Sequence, residues 1–93
     1  MAAVLGSFVG NVFDLTVELR VYSTHLELEV GSADNALKLV VEMVEVAEVD
    51  VRELQDVPTL SIRDVSGVLI ASLSMDAPSA AAAKALIERV MPR

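Results

Sequence analysis

Residues 59–75 read TLSIRDVSGVLIASLSM, with alternating apolar and polar residues on both sides of the tetrapeptide DVSG at 64–67. Aspartate at the first position and glycine at the fourth suit a type I turn. Alternation with a period of two is typical of a strand with one buried face and one solvated face. We therefore predict an antiparallel hairpin with strands over 59–63 and 68–75.

The same alternation begins upstream at Asp14, is interrupted at Ser23-Thr24, and resumes as far as Val30. This pattern predicts a second hairpin. Because Ser23-Thr24 lacks the Asn-Gly chemistry of the most secure two-residue turns, one long strand remains an alternative. Residues 49–54 alternate as a further short strand, which ends at a turn before Pro58.

The first helix is predicted to begin after Ser32 and to run to about Glu48. Ser32 is placed to cap it, and Asp34 lies in its first turn, where the helix dipole favours negative charge. At about 100° per residue, the apolar arc of this segment spans about 220°, leaving a polar sector around Lys38 and Glu42. A helix resting on one sheet needs an apolar arc of only about 100°. We therefore expect this helix to contact the sheet and, in addition, a second helix, a partner subunit or both.

A C-terminal helix is predicted from Asp76, a capping residue, to Met91, with Pro78 in its first turn. An i, i+3, i+4, i+7 stripe supports it, formed by Ala83, Leu86, Ile87 and Val90. The predicted order is ββαβββα. The predicted fold class is α+β: a two-layer sandwich of about four to five mostly antiparallel strands, with both helices on one face.

The length of 93 residues predicts one domain. Residues 1–13 carry no charged side chain and are predicted to form an N-terminal arm, followed by a single domain over 14–93. The arm is shorter than the roughly 20 apolar residues of a membrane-spanning helix, and it lacks the positive start of a signal peptide. We expect no membrane association.

Composition excludes several function classes. The net charge of −7 disfavours direct nucleic-acid binding, because phosphate would repel the surface. The chain has no cysteine, which excludes disulfides and thiolate sites and fits a cytoplasmic protein. Apolar residues make up 54% of the chain and aromatic residues only 3%, which predicts an aliphatic core.

The single histidine, His25, is the strongest candidate for chemistry. It alternates with Glu27 and Glu29, so a zinc site would need these carboxylates on the same strand face. A solvated turn histidine and a pH switch are the alternatives. The sequence contains neither a GxSxG elbow nor a glycine-rich phosphate loop. We predict a protein that is not an enzyme, with no catalytic residue, no metal and no cofactor.

The chain has more apolar residues than so small a domain can bury, which predicts self-association, most simply as a dimer. The candidate interface residues are Leu39, Val41, Val46, Val68 and Ile70. The predicted function is a homodimerising protein–protein interaction module, an accessory or adaptor component of a larger system with an unidentified protein partner. A monomer whose helices cover each other is the alternative.

Acidic residues suggest a different function. Glu42, Glu45 and Glu48 are predicted to form an acidic face along the first helix. Such a face fits a small acidic inhibitor that occupies the basic channel of a nucleic-acid-handling protein. A weaker hypothesis is a sensor with a small-ligand pocket at a subunit interface.

Overall fold

Seven strands form one antiparallel sheet, followed by a C-terminal α-helix, within the described residues of this computed structural model, 3–31 and 37–92. The strands are β1 (Gly6–Val12), β2 (Leu15–Val21), β3 (His25–Val30), β4 (Leu37–Glu42), β5 (Val46–Leu54), β6 (Val57–Asp64) and β7 (Leu69–Ser74), and the helix is α1 (Ala77–Val90). The strand order is β4-β3-β2-β1-β7-β6-β5.

The sheet has two halves, β1 to β4 and β5 to β7, that meet where β1 lies beside β7. The registered pair at this junction is Asn11 opposite Ser74. The two edge strands, β4 and β5, are consecutive in the chain and are joined by a short 3-10 turn, Met43–Glu45. So short a connection holds the two edges close together at that end, and the sheet therefore curls back on itself.

The prediction of a helix from the Ser32 cap to about Glu48 is wrong. Its described part forms β4, the 3-10 turn and the first residues of β5, while residues 32–36 lie outside the described residues. The segment is rich in valine, whose β-branched side chain favours strands. Leu37, Leu39 and Val41 also alternate with period two. An apolar arc too wide for one helix face was a further indication of a strand.

The predicted α+β sandwich of four to five strands with two helices is consequently wrong. The described residues contain seven strands and one α-helix. Residues 6–12 of the predicted arm form β1, and the short strand predicted over 49–54 begins earlier, at Val46. Both differences lengthen the sheet at the expense of segments that the sequence suggested were helical or irregular.

Two hairpins and the C-terminal helix are confirmed. β2 and β3 pair around Ser23-Thr24, and β6 and β7 pair around a turn in which the Asp64 carboxylate accepts hydrogen bonds from two backbone N–H groups. Asp76 caps α1 by accepting a hydrogen bond from the backbone N–H of Ser79 at 3.0 Å. The turn and the helix cap predicted from local sequence are therefore present in the folded chain.

One aliphatic core joins the sheet to α1. The helix contributes Ala80, Ala83 and Ile87, which are fully buried. The largest fully buried strand residues are Val17, Leu19, Val21, Leu26, Leu60, Ile62 and Leu73. The two alanines allow a close approach of the helix to the sheet, since side-chain size sets the distance between packed elements.

Candidate functional site

A cleft of about 1060 Å³ opens on the protein surface between the two halves of the sheet. Phe13 of the β1–β2 turn and Gln55 of the β5–β6 turn lie among its lining residues. Most of the lining is aliphatic, and it includes Val12, Val17, Leu28, Val30, Leu37, Leu39, Leu54, Val57, Leu69 and Ile70. The cleft is thus an extension of the apolar interior that solvent can reach.

The apolar face of β4 becomes steadily more exposed away from the 3-10 turn. Val41 is 4% exposed, Leu39 is 48% exposed and Leu37 is 74% exposed. These side chains share one face because they occupy alternate positions. At the turn end this face is sealed into the core, and at the other end it forms an open wall of the cleft.

The other edge of β4 carries unpaired backbone groups. The backbone N–H of Met43 donates to the carbonyl oxygen of Thr24 at 2.9 Å, which fixes which residues point toward β3. Because backbone groups alternate along an antiparallel strand, those of Lys38, Val40 and Glu42 point away from β3. No other described strand pairs with this edge. β4 therefore presents free donors and acceptors beside exposed aliphatic side chains.

Arg20 organises the charges on the outer face of β2 and β3. Its guanidinium lies 2.7 Å from Glu18, 3.4 Å from Glu27 and 3.4 Å from Glu29. The hydrogen bond to Glu29 is the main cause that raises the pKa of Arg20. Lys38 on β4 adds a further contact, 3.6 Å from Glu27. This face is an ion-pair network in which most of the carboxylates are already partnered.

His25 lies within that network. Its ring stacks on Tyr22 with centroids 4.4 Å apart, its Nε2 lies 3.1 Å from Glu27, and its Nδ1 lies 2.9 Å from the Thr24 hydroxyl. The hydrogen bond with His25 holds the pKa of Glu27 below its ordinary value. His25 and Glu27 therefore come together as the strand register predicts, whereas Glu29 contacts Arg20 instead.

The predicted interface residues separate into two groups. Val41 and Val46 are 4% and 3% exposed and belong to the core of the single chain. Leu39 and Val68 are exposed, and Ile70 is half-buried in the cleft lining. Sequence reasoning missed Leu37 and Val40. The alternation of Leu37 with Leu39 was the available signal, but the helical interpretation concealed it, and Val40 lies on the opposite face of the strand.

The carboxylates of Glu42, Glu45 and Glu48 are exposed but do not share one helix face. Glu42 ends β4, Glu45 lies in the 3-10 turn, and Glu48 lies on β5. Glu48 also lines a smaller cleft of about 300 Å³ beside the end of α1, together with Glu88. These three residues therefore do not form the acidic helix face that the sequence predicts.

The chain matches no protein-family model, no curated protein and no solved structure. Over the described ranges, no helix is long and apolar enough to cross a membrane. Within those same ranges, no three side chains of the metal-binding types lie close enough to hold an ion. The edge of β4 and the adjoining cleft are thus the features from which a function can be inferred.

Proposed function

We propose that this domain is a non-enzymatic protein–protein interaction module that forms a homodimer through β4, as an accessory or adaptor component of a larger assembly. The exposed edge of β4 carries this proposal. Three of its first four residues are aliphatic, namely Leu37, Leu39 and Val40, and all four are exposed. An edge strand of this kind is a template for pairing with another chain.

The contrast with β5, the other edge strand, supports the proposal. The middle of β5 carries Glu48, Asp50 and Arg52, and α1 packs against this strand. Charged residues and covering elements are the usual protection of a sheet edge. β4 has an aliphatic sequence at the corresponding positions, with Lys38 as the single charge before Glu42. The edge suited to a partner is therefore β4.

A second candidate function is the uptake of a small apolar ligand in the cleft. Its volume of about 1060 Å³ lies at the upper end of the range of ligand pockets. Its aliphatic lining contains a few polar side chains, including Asn11, Ser72 and Ser74. Because Leu37 and Leu39 belong to both the cleft and β4, a ligand in the cleft and a second copy on β4 would contact the same two side chains.

Native mass spectrometry over a dilution series tests both candidates. A dimer that persists on dilution is the expected result, and a constant mass excess per chain would identify a retained ligand. A monomer at every concentration would contradict the dimer. Because the chain has no cysteine, the sample needs no redox control. The absence of cysteine also supports a reducing cytoplasm as the setting of the protein.

Two matched variants locate the interface. Val40→Lys places a charge on the β4 edge and is expected to lower the dimer fraction at least tenfold at a fixed concentration. Val65→Lys makes the same change in the β6–β7 turn, where Val65 is also exposed, and is expected to leave the dimer intact. Equal dimer fractions for the two variants would exclude the β4 edge.

A further inference from the structure

We propose that two copies pair as antiparallel β4 strands around a two-fold axis through Val40, so that Lys38 of each copy lies opposite Glu42 of the other. This inference rests on the proposed dimer and adds its geometry. It follows from the direction of the backbone groups on β4 and from the positions of its charged residues. The occupant of the edge is therefore a second copy of this chain.

The backbone limits the possible registers. Lys38, Val40 and Glu42 are the β4 residues whose N–H and C=O groups point outward, as the bond from Met43 to Thr24 shows. In an antiparallel pair, residues of this kind must lie opposite one another. Successive registers of two symmetric β4 strands consequently place Lys38 opposite the partner's Lys38, Val40 or Glu42, or place Glu42 opposite the partner's Val40 or Glu42.

Electrostatics selects among these registers. Opposing Lys38 residues repel, as do opposing Glu42 residues, and like charges directly opposite each other destabilise a sheet. Lys38 opposite Val40, or Val40 opposite Glu42, leaves the charges unmatched. Only the register centred on Val40 places Lys38 opposite Glu42, and it does so twice because of the symmetry. In this register Val40 faces its own copy, as a β-branched cross-strand pair.

The same register also covers the exposed aliphatic wall. Leu39 of each copy lies opposite Val41 of the other, on the face that continues into the core. Leu39 is 48% exposed in the single chain, so the added strand removes apolar surface from water. The three outward-facing residues of each copy form about six new backbone hydrogen bonds across the axis.

Single cysteines test this register in an otherwise cysteine-free chain. In the full-length protein under mild oxidation, Val40→Cys is expected to form a disulfide-linked dimer, since directly opposite residues lie about 5.5 Å apart at Cα, within disulfide range. Lys38→Cys alone is expected not to cross-link, because its copies lie about 13 Å apart along the strands. Mixing Lys38→Cys with Glu42→Cys is expected to restore the cross-link, and Val65→Cys serves as the control.

The outcomes separate the two proposals. A dimer by native mass in which Val40→Cys cross-links no better than Val65→Cys would overturn the pairing through β4 and leave the dimer standing. Efficient cross-linking of Lys38→Cys with itself would overturn the register alone. A monomeric wild-type protein would overturn both. Thermal melting of each reduced variant shows that it is folded before cross-linking is compared.

Discussion

Gly10 lies against the backbone carbonyl oxygen of Ser74, and a β carbon at residue 10 would stand 2.8 Å from that oxygen. The contact occurs beside the Asn11–Ser74 pair, where the two halves of the sheet join. The backbone there cannot rotate away as a side chain can. Glycine is therefore required at residue 10 by the close approach of β1 and β7.

Gly10→Ala is expected to destabilise the protein by about 1–3 kcal/mol, because the added methyl group forces the junction apart. Gly6→Ala is the matched control in the same strand. The atom nearest to a β carbon added at residue 6 is Leu86 Cδ2, the flexible end of a side chain, so a smaller loss of stability is expected. Urea unfolding measures both variants. An equal loss would show that the contact with Ser74 is not special.

The β5–β6 turn has positive φ angles at both central residues, 53° at Gln55 and 65° at Asp56. Such a turn favours Asn-Gly. Replacing Gln55-Asp56 by Asn-Gly is therefore expected to stabilise the protein by about 1 kcal/mol, visible as a higher unfolding midpoint.

Gly67→Ala is expected to change the stability in the opposite direction. At a φ of 82° with no atom within 4 Å, it should be destabilising through the backbone alone.

The Asp76 cap makes a pH-dependent contribution to stability. The backbone N–H of Ser79 holds the pKa of Asp76 below the ordinary value of 3.8. A lowered folded-state pKa stabilises the fold above the unfolded-state value, and this stability is lost as pH falls through the folded-state pKa. Asp76→Ala should therefore lower the melting temperature at pH 7 and have little effect in strong acid.

Asp76→Asn separates the cap from its charge. Asparagine caps helices about as well as aspartate, so this variant should stay close to the wild type at neutral pH without the same acid dependence. Melting curves between neutral and strongly acidic pH provide the comparison. A pH-independent deficit in Asp76→Ala would show that the carboxylate charge contributes nothing.

Val41 and Leu39 share one face of β4 but should respond differently to charge. Val41→Glu places a carboxylate in the core and is expected to cost about 3 kcal/mol or more, which unfolds much of the protein. Leu39→Glu is expected to keep the fold and weaken the dimer. Circular dichroism and native mass together distinguish them. A folded but monomeric Val41→Glu would contradict the burial of that side chain.

Local signals in the sequence predicted the elements whose causes are local. The DVSG turn and the Asp76 cap each act within a few residues, and both are where the sequence placed them. The segment over 37–46 satisfied helical and strand periodicities at once, and only pairing with β3 and β6 decides between them. Its valines favour the strand, whereas its wide apolar arc also fits a helix that contacts two other elements.

The edge position of β4 was beyond sequence reasoning for a different reason. Whether a strand is central or at an edge depends on the order of all seven strands. β1 was also hidden, because Gly6 and Gly10 weaken a strand pattern. Glycine is needed at these two positions because Leu86 lies close to Gly6 and Ser74 lies close to Gly10, and both neighbours are distant in the chain. Leu39 was nevertheless identified as an interface candidate from its apolar character alone.

Hydrogen exchange at the Val40 backbone amide tests the pairing through β4 most directly. This N–H points away from β3, so it is open to solvent in a single chain and hydrogen-bonded in the proposed dimer. We expect slow exchange in the wild-type dimer and fast exchange in the Leu39→Glu variant, whose dimer is weakened, while the buried strands stay protected in both. Fast exchange of the Val40 amide at every concentration, in a protein that native mass shows to be a dimer, would contradict the pairing.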